Sequence, residues 1–269
     1  QGCFSASNYP SGGPGRHLKT RLGDGDVLLG GIAAEYLRPS LMKLYKDAGF
    51  DFAYIEYEHA FFDPAALSDM VLAARSYGLP PIAKTPEIGR AEVAKLLECG
   101  VVGIQLPRTE SREEVETLRS YLKFPPYGTR AMAPGYGNSD YTQTADLKAW
   151  MAEQDAETTL VVHIETKVGF QNAEDIISTP GVNMVYVGPG DFSIEMGYPG
   201  DYDHPDVQKA MGEILNLCKK YGVPWGTTAS SPEAAGRWIS KGAQFFEVVD
   251  ELELIRESAS ALVKEYRKL

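Results

Sequence analysis

The sequence predicts an α/β protein built as one (β/α)8 TIM barrel. Three observations carry that expectation. Short apolar, β-rich runs alternate with helical stretches, and the alternation recurs eight times. Strands separated by helices pair in parallel, and eight such units close into a barrel. The length of 269 residues suits a single α/β barrel domain of about 250 residues. An open doubly wound sheet would instead need a Gly-rich phosphate turn after an early strand, and the sequence offers none.

The elements follow in order. Residues 1–16 are rich in Gly, Ser and Pro and read as a flexible tail; residues 17–269 form the barrel. The expected strands are Val27–Ile32, Phe52–Tyr57, Pro80–Lys84, Val102–Leu106, Leu160–Glu165, Met184–Gly188, Val223–Thr228 and Phe245–Val249. The helical stretches are Leu41–Ala48, Pro64–Tyr77, Arg90–Glu98, Glu113–Leu122, Asn172–Ser178, Val207–Tyr221, Pro232–Lys241 and Leu252–Tyr266, each with apolar residues at helical spacing. Gly78, Gly100, Gly222 and Gly242 stand where helices should end with a positive φ. One connection is long, from Leu106 to Leu160. It holds the Gly-, Pro- and Tyr-rich run Pro125–Tyr141 and a helical stretch near Ala145–Gln154. With Arg130 and several aromatics it reads as an active-site loop; a variable surface loop is the plainer alternative.

Acidic side chains number 37 against 26 Lys and Arg, a net charge of −11. That balance excludes a basic nucleic-acid surface and adhesion to anionic lipid. No apolar run approaches the ~20 residues of a membrane span, and no signal peptide is visible. Cys3, Cys99 and Cys218 are odd in number and widely spaced. They form neither a disulfide framework nor a zinc cluster, which fits a reducing, cytoplasmic setting.

Barrel enzymes place their chemistry at the C-terminal ends of the strands. The polar residues there are Glu56, Glu58 and His59, then Lys84, Gln105 and Arg108, then His163 and Glu165, Asp191, Thr227 and Thr228, and Asp250. Glu165 and Asp191, on neighbouring strands, can share a hard divalent cation that keeps open positions for substrate; each could instead cap a loop or pair with a base. His59 follows two acids that can orient its ring for proton transfer, or is a surface loop residue. His163 alternates with Glu165 and faces the barrel interior, as a ligand, a substrate contact or a packed core histidine. Lys84 closes a buried strand and needs an anionic partner: a substrate carboxylate, Glu56 or Glu58, or a carbonyl in a Schiff base. His17 and His204 read as loop residues.

Several of these stretches resemble the HpcH/HpaI family of class II, metal-dependent 2-oxo acid aldolases. EYEHAFFD (Glu56–Asp63) is similar to its strand-two signature, approximately D-x-E-H-x-x-x-D, and PPIAKTPE (Pro80–Glu87) and PPYGTR (Pro125–Arg130) continue the match. It is strongest over His163–Gly200, which holds the I-E-T and G-P-x-D patterns. The resemblance runs from about His17 to the C-terminus.

The resemblance implies reversible aldol chemistry between a pyruvate-like 2-oxo acid and an aldehyde. Its divalent metal, Mg²⁺ or Mn²⁺ and otherwise Co²⁺ or Zn²⁺, is held by Glu165 and Asp191 and stabilises an enolate. It implies His59 working with Glu56 in proton transfer and Glu58 as a supporting acid. Lys84 and His163 become substrate contacts, with Gly188, Pro189 and Gly190 as the turn beneath the oxo acid. It also implies a homo-oligomer, a hexamer in the family, and a place in the catabolism of aromatic compounds. Five positions depart from the family pattern: Glu56 replaces Asp, Lys84 replaces Arg, His163 replaces Gln, and Thr227 and Thr228 stand where apolar residues are common. Decarboxylation or other enolate chemistry on a different oxo acid is the alternative activity. A barrel that binds metal and oxo acid without turnover is the non-enzymatic one.

Overall fold

A computed structural model describes Tyr9 and residues 12–269 of the chain. Among these residues eight parallel strands pair in sequence order, and the eighth closes on the first. They are β1 (Leu28–Ala33), β2 (Phe52–Glu56), β3 (Pro81–Lys84), β4 (Gly103–Leu106), β5 (Thr159–His163), β6 (Met184–Val187), β7 (Trp225–Thr227) and β8 (Phe245–Asp250). All eight expected strands form, with ends within two residues of their predicted bounds.

Helices α1 (Pro14–Gly23), α2 (Pro39–Ala48), α3 (Pro64–Ser76), α4 (Arg90–Cys99), α5 (Arg112–Leu122) and α6 (Leu147–Glu157) lie in the first half. The second half holds α7 (Lys167–Gln171), α8 (Ala173–Ile177), α9 (Pro189–Met196), α10 (Pro205–Tyr221), α11 (Pro232–Ser240) and α12 (Glu251–Tyr266). Their boundaries are written locally. Asp63 accepts the Ala66 N–H at 2.9 Å ahead of a proline that starts α3. Ser111 and Glu114 form a reciprocal capping box on α5, which satisfies two otherwise orphaned N–H groups. Gly78, Gly100, Gly222 and Gly242 all take positive φ, as the helix-end pattern requires.

The core has two parts. Outward-facing strand residues such as Ile55, Ile104 and Val185 pack against helix residues such as Met70, Leu96 and Ile214. Inside the barrel a smaller apolar cluster holds Leu28, Phe52, Ile82, Met184 and Phe245, closed from below by Leu18 and Leu22 of α1. Large rings fit there because glycines face them. A Cβ on Gly30 would stand 2.3 Å from the Phe52 ring, and one on Gly226 would stand 2.4 Å from Phe245.

The structure corrects the sequence reading in four places. Residues 1–8, 10 and 11 of the expected tail lie outside the described residues, but Pro14–Arg16 open α1. The backbone N–H groups of Gly15 and Arg16 donate to the Glu157 carboxylate at 2.7 and 3.5 Å, so the boundary expected at residue 17 falls inside an anchored helix. His17 lies within that helix and is half-buried. His204 caps α10, its Nδ1 accepting from the Asp206 N–H at 3.2 Å.

The second correction concerns the long connection. A helix that follows a barrel strand carries the chain back to the N-terminal end, so the segment after α5 sits opposite the catalytic face. Arg130 is buried there, donating to Thr158 Oγ1 at 3.1 Å and to Gln154 Oε1 at 3.2 Å, with its guanidinium over the Phe124 ring. Asp140 accepts from Arg75 Nε at 2.6 Å. Pro125–Tyr141 therefore braces the bottom of the barrel and lines no part of the mouth.

Third, the expected helix Asn172–Ser178 forms as α8, but α7 precedes it and α9 follows β6 where no helices were expected. Fourth, α12 does not join the outer ring of helices: every residue from 253 to 269 is exposed. Leu29 of β1 and Val248 of β8, neighbours on the outer wall, are 40% and 38% exposed.

Candidate active site

The strands open at their C-terminal ends into a cavity of about 300 Å³. Its lining includes Glu56, His59, Lys84, His163, Glu165 and Asp191, with Gly188, Pro189 and Gly190 at the start of α9. Residues from the ends of β2, β3, β5 and β6 thus meet as the barrel reading expected. Larger surface clefts occur elsewhere, one at the N-terminal ends of β6–β8 beside α1, but among the described residues none gathers such a set of ionisable groups.

Lys84 ends β3 with its ammonium 2.6 Å from Glu58 Oε2 and 3.5 Å from Glu56 Oε2. Burial works against its charge, but Glu56 and Glu58 outweigh it and hold Lys84 above the ordinary lysine value. A Schiff-base lysine needs a free amine, so this one is a fixed cation instead. Register explains the contact, since Glu56 of β2 pairs with Lys84 of β3.

The acid beside the His59 ring is not the expected one. Glu56 Oε1 accepts the backbone N–H groups of Glu58 and His59 at 3.2 and 3.3 Å. The imidazole Nε2 lies 3.4 Å from Glu58 Oε2. Glu56 shapes the turn, while Glu58 bridges His59 and Lys84. The turn makes this so, because it folds back so that its own N–H groups occupy Glu56 Oε1. The His59 side chain is 65% exposed at the rim, free to meet a ligand.

Glu165 lies deep, at 3% exposure. Its Oε1 accepts the Arg108 N–H at 2.8 Å. Arg108 reaches it by taking φ +45°, a conformation that costs a non-glycine residue energy and clusters at functional sites. Burial pushes the Glu165 carboxyl up to about 7, opposed by the Arg108 N–H and Lys84 and reinforced by Asp191. Two carboxylates that repel one another beside a cavity suit a divalent cation, whose oxygen-rich ligand sets they match. A small residue is also needed beside them: a Cβ on Gly188 would stand 2.3 Å from His163 Nε2 and 3.4 Å from Glu165 Oε2. The donor set therefore fits a metal. Glu56, Glu58 and His59 also present ligand atoms within 4.8 Å of one another, but the Lys84 ammonium already serves as their cation.

His163 packs edge-on against Tyr186, with ring centroids 4.7 Å apart. Burial, with Lys84 adding, drives its pKa well below the ordinary value, so the imidazole is neutral. Nδ1 faces the Gln105 amide at 3.4 Å. Nε2 is 3.1 Å from Glu165 Oε2, yet it lacks a well-directed hydrogen bond and is left to meet a ligand or to steady Glu165. Thr227 is tied to the Val187 carbonyl at 2.8 Å. Thr228 faces the cavity, 2.5 Å from the Tyr186 hydroxyl.

Sequence reasoning missed Tyr54, Tyr186 and Glu247, which line the same cavity from below. The signal was present: Glu247 is the one charged residue in the run FFEVV, two positions from inward-facing Phe245.

Known proteins agree with this architecture. A 5-keto-4-deoxy-D-glucarate aldolase of Shigella sonnei is 29% identical over 221 residues, covering 82% of this chain and 85% of that protein. The crystal structure of an HpcH/HpaI aldolase from Desulfitobacterium hafniense DCB-2 superposes with a TM-score of 0.89 at 24% identity, covering 94% of this chain and 97% of that one. An HpcH/HpaI aldolase/citrate lyase family protein of Burkholderia cenocepacia J2315 gives a TM-score of 0.85 at 26% identity, covering 93% of this chain and 98% of that one. The family model for HpcH/HpaI aldolase/citrate lyase matches residues 36–257, and with the mouth of the barrel arranged as described, the chain belongs to the HpcH/HpaI aldolase/citrate lyase family.

Proposed function

We propose that the protein is a divalent-metal-dependent carbon–carbon lyase, an aldolase that cleaves or forms the bond between a 2-oxo acid and an aldehyde. The observation that carries it is the buried Glu165 carboxylate, next to Asp191 and the Gly188–Gly190 turn in one cavity. Glu165 and Asp191 hold the cation. When bound, a divalent cation polarises the keto group and offsets the charge that develops on its oxygen.

The chain's own residues do the rest. The start of α9 directs backbone N–H groups toward the mouth, where a substrate carboxylate gains from them. Lys84, clamped by Glu58 and Glu56, supplies fixed positive potential without becoming a nucleophile. His59 stands at the rim with Glu58 beside its ring. In the cleavage direction it takes the proton of the substrate hydroxyl as the carbon–carbon bond breaks and the aldehyde leaves, and the oxo acid carbon then regains a proton. His163, neutral and wedged between Gln105 and Glu165, steadies the buried carboxylate and borders the substrate.

Glu165→Ala tests this reading. It should abolish both Mn²⁺ binding by calorimetry and deuterium exchange at C3 of 2-oxo acids. Full exchange retained in that variant would refute the assignment. The relatives' name, a sugar-acid aldolase, favours a sugar-acid setting over aromatic catabolism. Homo-oligomer formation and a cytoplasmic setting belong to the same proposal; Cys99 and Cys218 are free thiols, and among the described residues no helix is long and apolar enough to cross a membrane.

A further inference from the structure

Among the described residues three buried side-chain polar atoms lack a hydrogen-bond partner, and of these only His163 Nε2 belongs to the mouth of the barrel. A buried polar atom without a partner is costly, and in a native protein it calls for a cause such as a bound ion. The HpcH/HpaI pattern has Gln at this position, and this chain has His163.

The surroundings of Nε2 point to a cation. The acid beside it is Glu165, whose Oε1 is taken by the Arg108 N–H at 2.8 Å. The other oxygen, Oε2, lies 3.1 Å from His163 Nε2, but the ring N–H direction does not run to it. Two donors held about 2.1 Å from one ion at a right angle stand about 3.0 Å apart. The observed separation suits two neighbouring ligands of one ion, and the direction suits a hydrogen bond poorly.

Gly188 leaves room for such an ion. Its φ of −81° and ψ of 107° are open to any residue, so the backbone does not demand glycine there. Space does: a Cβ would stand 2.3 Å from Nε2 and 3.4 Å from Glu165 Oε2. The far side of the ring is prepared as well. A metal-bound imidazole donates its other N–H to an oxygen that fixes the ring. His163 Nδ1 faces the Gln105 side-chain amide at 3.4 Å, and the same amide reaches the Tyr54 hydroxyl at 3.1 Å. A half-turn of that amide brings its oxygen round to accept from both, since the Tyr54 hydroxyl can donate or accept.

We propose that His163 is a third protein ligand of the divalent cation, through Nε2, and that it turns the site from Mg²⁺ toward a nitrogen-accepting metal such as Zn²⁺ or Co²⁺. The inference rests on the metal reading above and adds a donor that the Gln of the family pattern does not supply. Carboxylate and water sets suit Mg²⁺ and Mn²⁺, whereas imidazole suits the later metals. Glu165 and His163 form the buried half of the set. Asp191, exposed on the first turn of α9, completes it from the mouth.

The test uses the full chain, stripped with EDTA and titrated with Mg²⁺ and with Co²⁺ by calorimetry. The same chain loaded with one equivalent of Cu²⁺ is read by electron spin-echo spectroscopy for the nitrogen of a bound imidazole. The wild type should show that nitrogen. His59 is the other imidazole of the cavity, so the signal should persist in His59→Gln and vanish in His163→Gln. His163→Gln should weaken Co²⁺ binding at least about tenfold and Mg²⁺ binding by less than about threefold. The spin-echo readings of the wild type and of His59→Gln decide the matter even if His163→Gln does not fold.

If Glu165→Ala abolishes binding of both ions, yet His59→Gln shows no imidazole nitrogen or His163→Gln changes both affinities alike, the third-ligand assignment falls alone. His163 then does no more than brace Glu165. If neither ion binds the wild type, or Glu165→Ala binds both as tightly, the metal reading falls and this inference with it.

Discussion

Glu247 shows how one residue can set the pH response of a barrel. Its carboxyl is pushed well above the ordinary 4.5 by burial, with Glu56 adding, while Tyr186, Lys84 and Gln105 oppose. The folded state therefore holds this proton more tightly than the unfolded chain. Its contribution to stability is complete below the ordinary carboxyl range and is lost as pH rises toward the folded value. Glu247→Gln mimics the protonated form at every pH. Its melting temperature should gain on the wild type as pH rises above the ordinary carboxyl value; parallel curves in thermal scans would show that Glu247 is ionised in the fold. Lys84 behaves oppositely, since its two carboxylate partners hold the charge in place. Lys84→Met leaves Glu56 and Glu58 without a cation, and loss of one buried partner costs about 3–5 kcal/mol. Urea unfolding should show a loss of that order, and sodium borohydride should trap no substrate adduct on the wild-type lysine.

At the scale of elements, the strands owe their fit to pairs of unlike size. Phe245 of β8 lies against Gly226 of β7, its register partner, as Phe52 of β2 lies against Gly30 of β1. Gly226→Ala would place a methyl 2.4 Å from the Phe245 ring. Overpacking of that kind costs about 1–3 kcal/mol, and chemical denaturation should show it. The double variant with Phe245→Leu should recover part of the loss, because the smaller side chain vacates the contested space. The strands themselves were legible from apolar runs alone. The insertion 125–141 was misplaced because its composition resembles that of active-site loops, while its face is fixed by connectivity: it follows a helix, and helices end at the bottom of the barrel. The pairing of His59 with Glu58 rather than Glu56 was equally hidden, since it depends on how the turn after β2 folds back.

At the scale of the molecule, α12 continues from β8 without covering the barrel. Ile255, Leu262 and Tyr266 lie along one side of it, at 54%, 60% and 69% exposure. The outer wall of β1 and β8, where an eighth helix would complete the ring, leaves Leu29 and Val248 exposed. An apolar helix and an apolar gap on one chain are complementary surfaces between copies. The proposed homo-oligomer should therefore depend on α12. Sedimentation of the Ile255→Asp, Leu262→Asp double variant should give smaller particles than the wild type. An unchanged sedimentation coefficient would exclude α12 from the interface.

The sequence by itself determined the eight-stranded barrel, the strand ends on which Glu56, His59, Lys84, Glu165 and Asp191 stand, and the family signatures. These are local properties: periodicity, helix caps, and short motifs that the backbone reads within a few residues. Only the tertiary structure decided which acid meets which base, that Arg130 braces the far end, and that Glu247 sits at the floor of the cavity in the barrel mouth. Contacts across the barrel join residues from β2, β4, β6 and β8, far apart in the chain. Their pairing is set by strand register and burial, neither of which a linear pattern encodes.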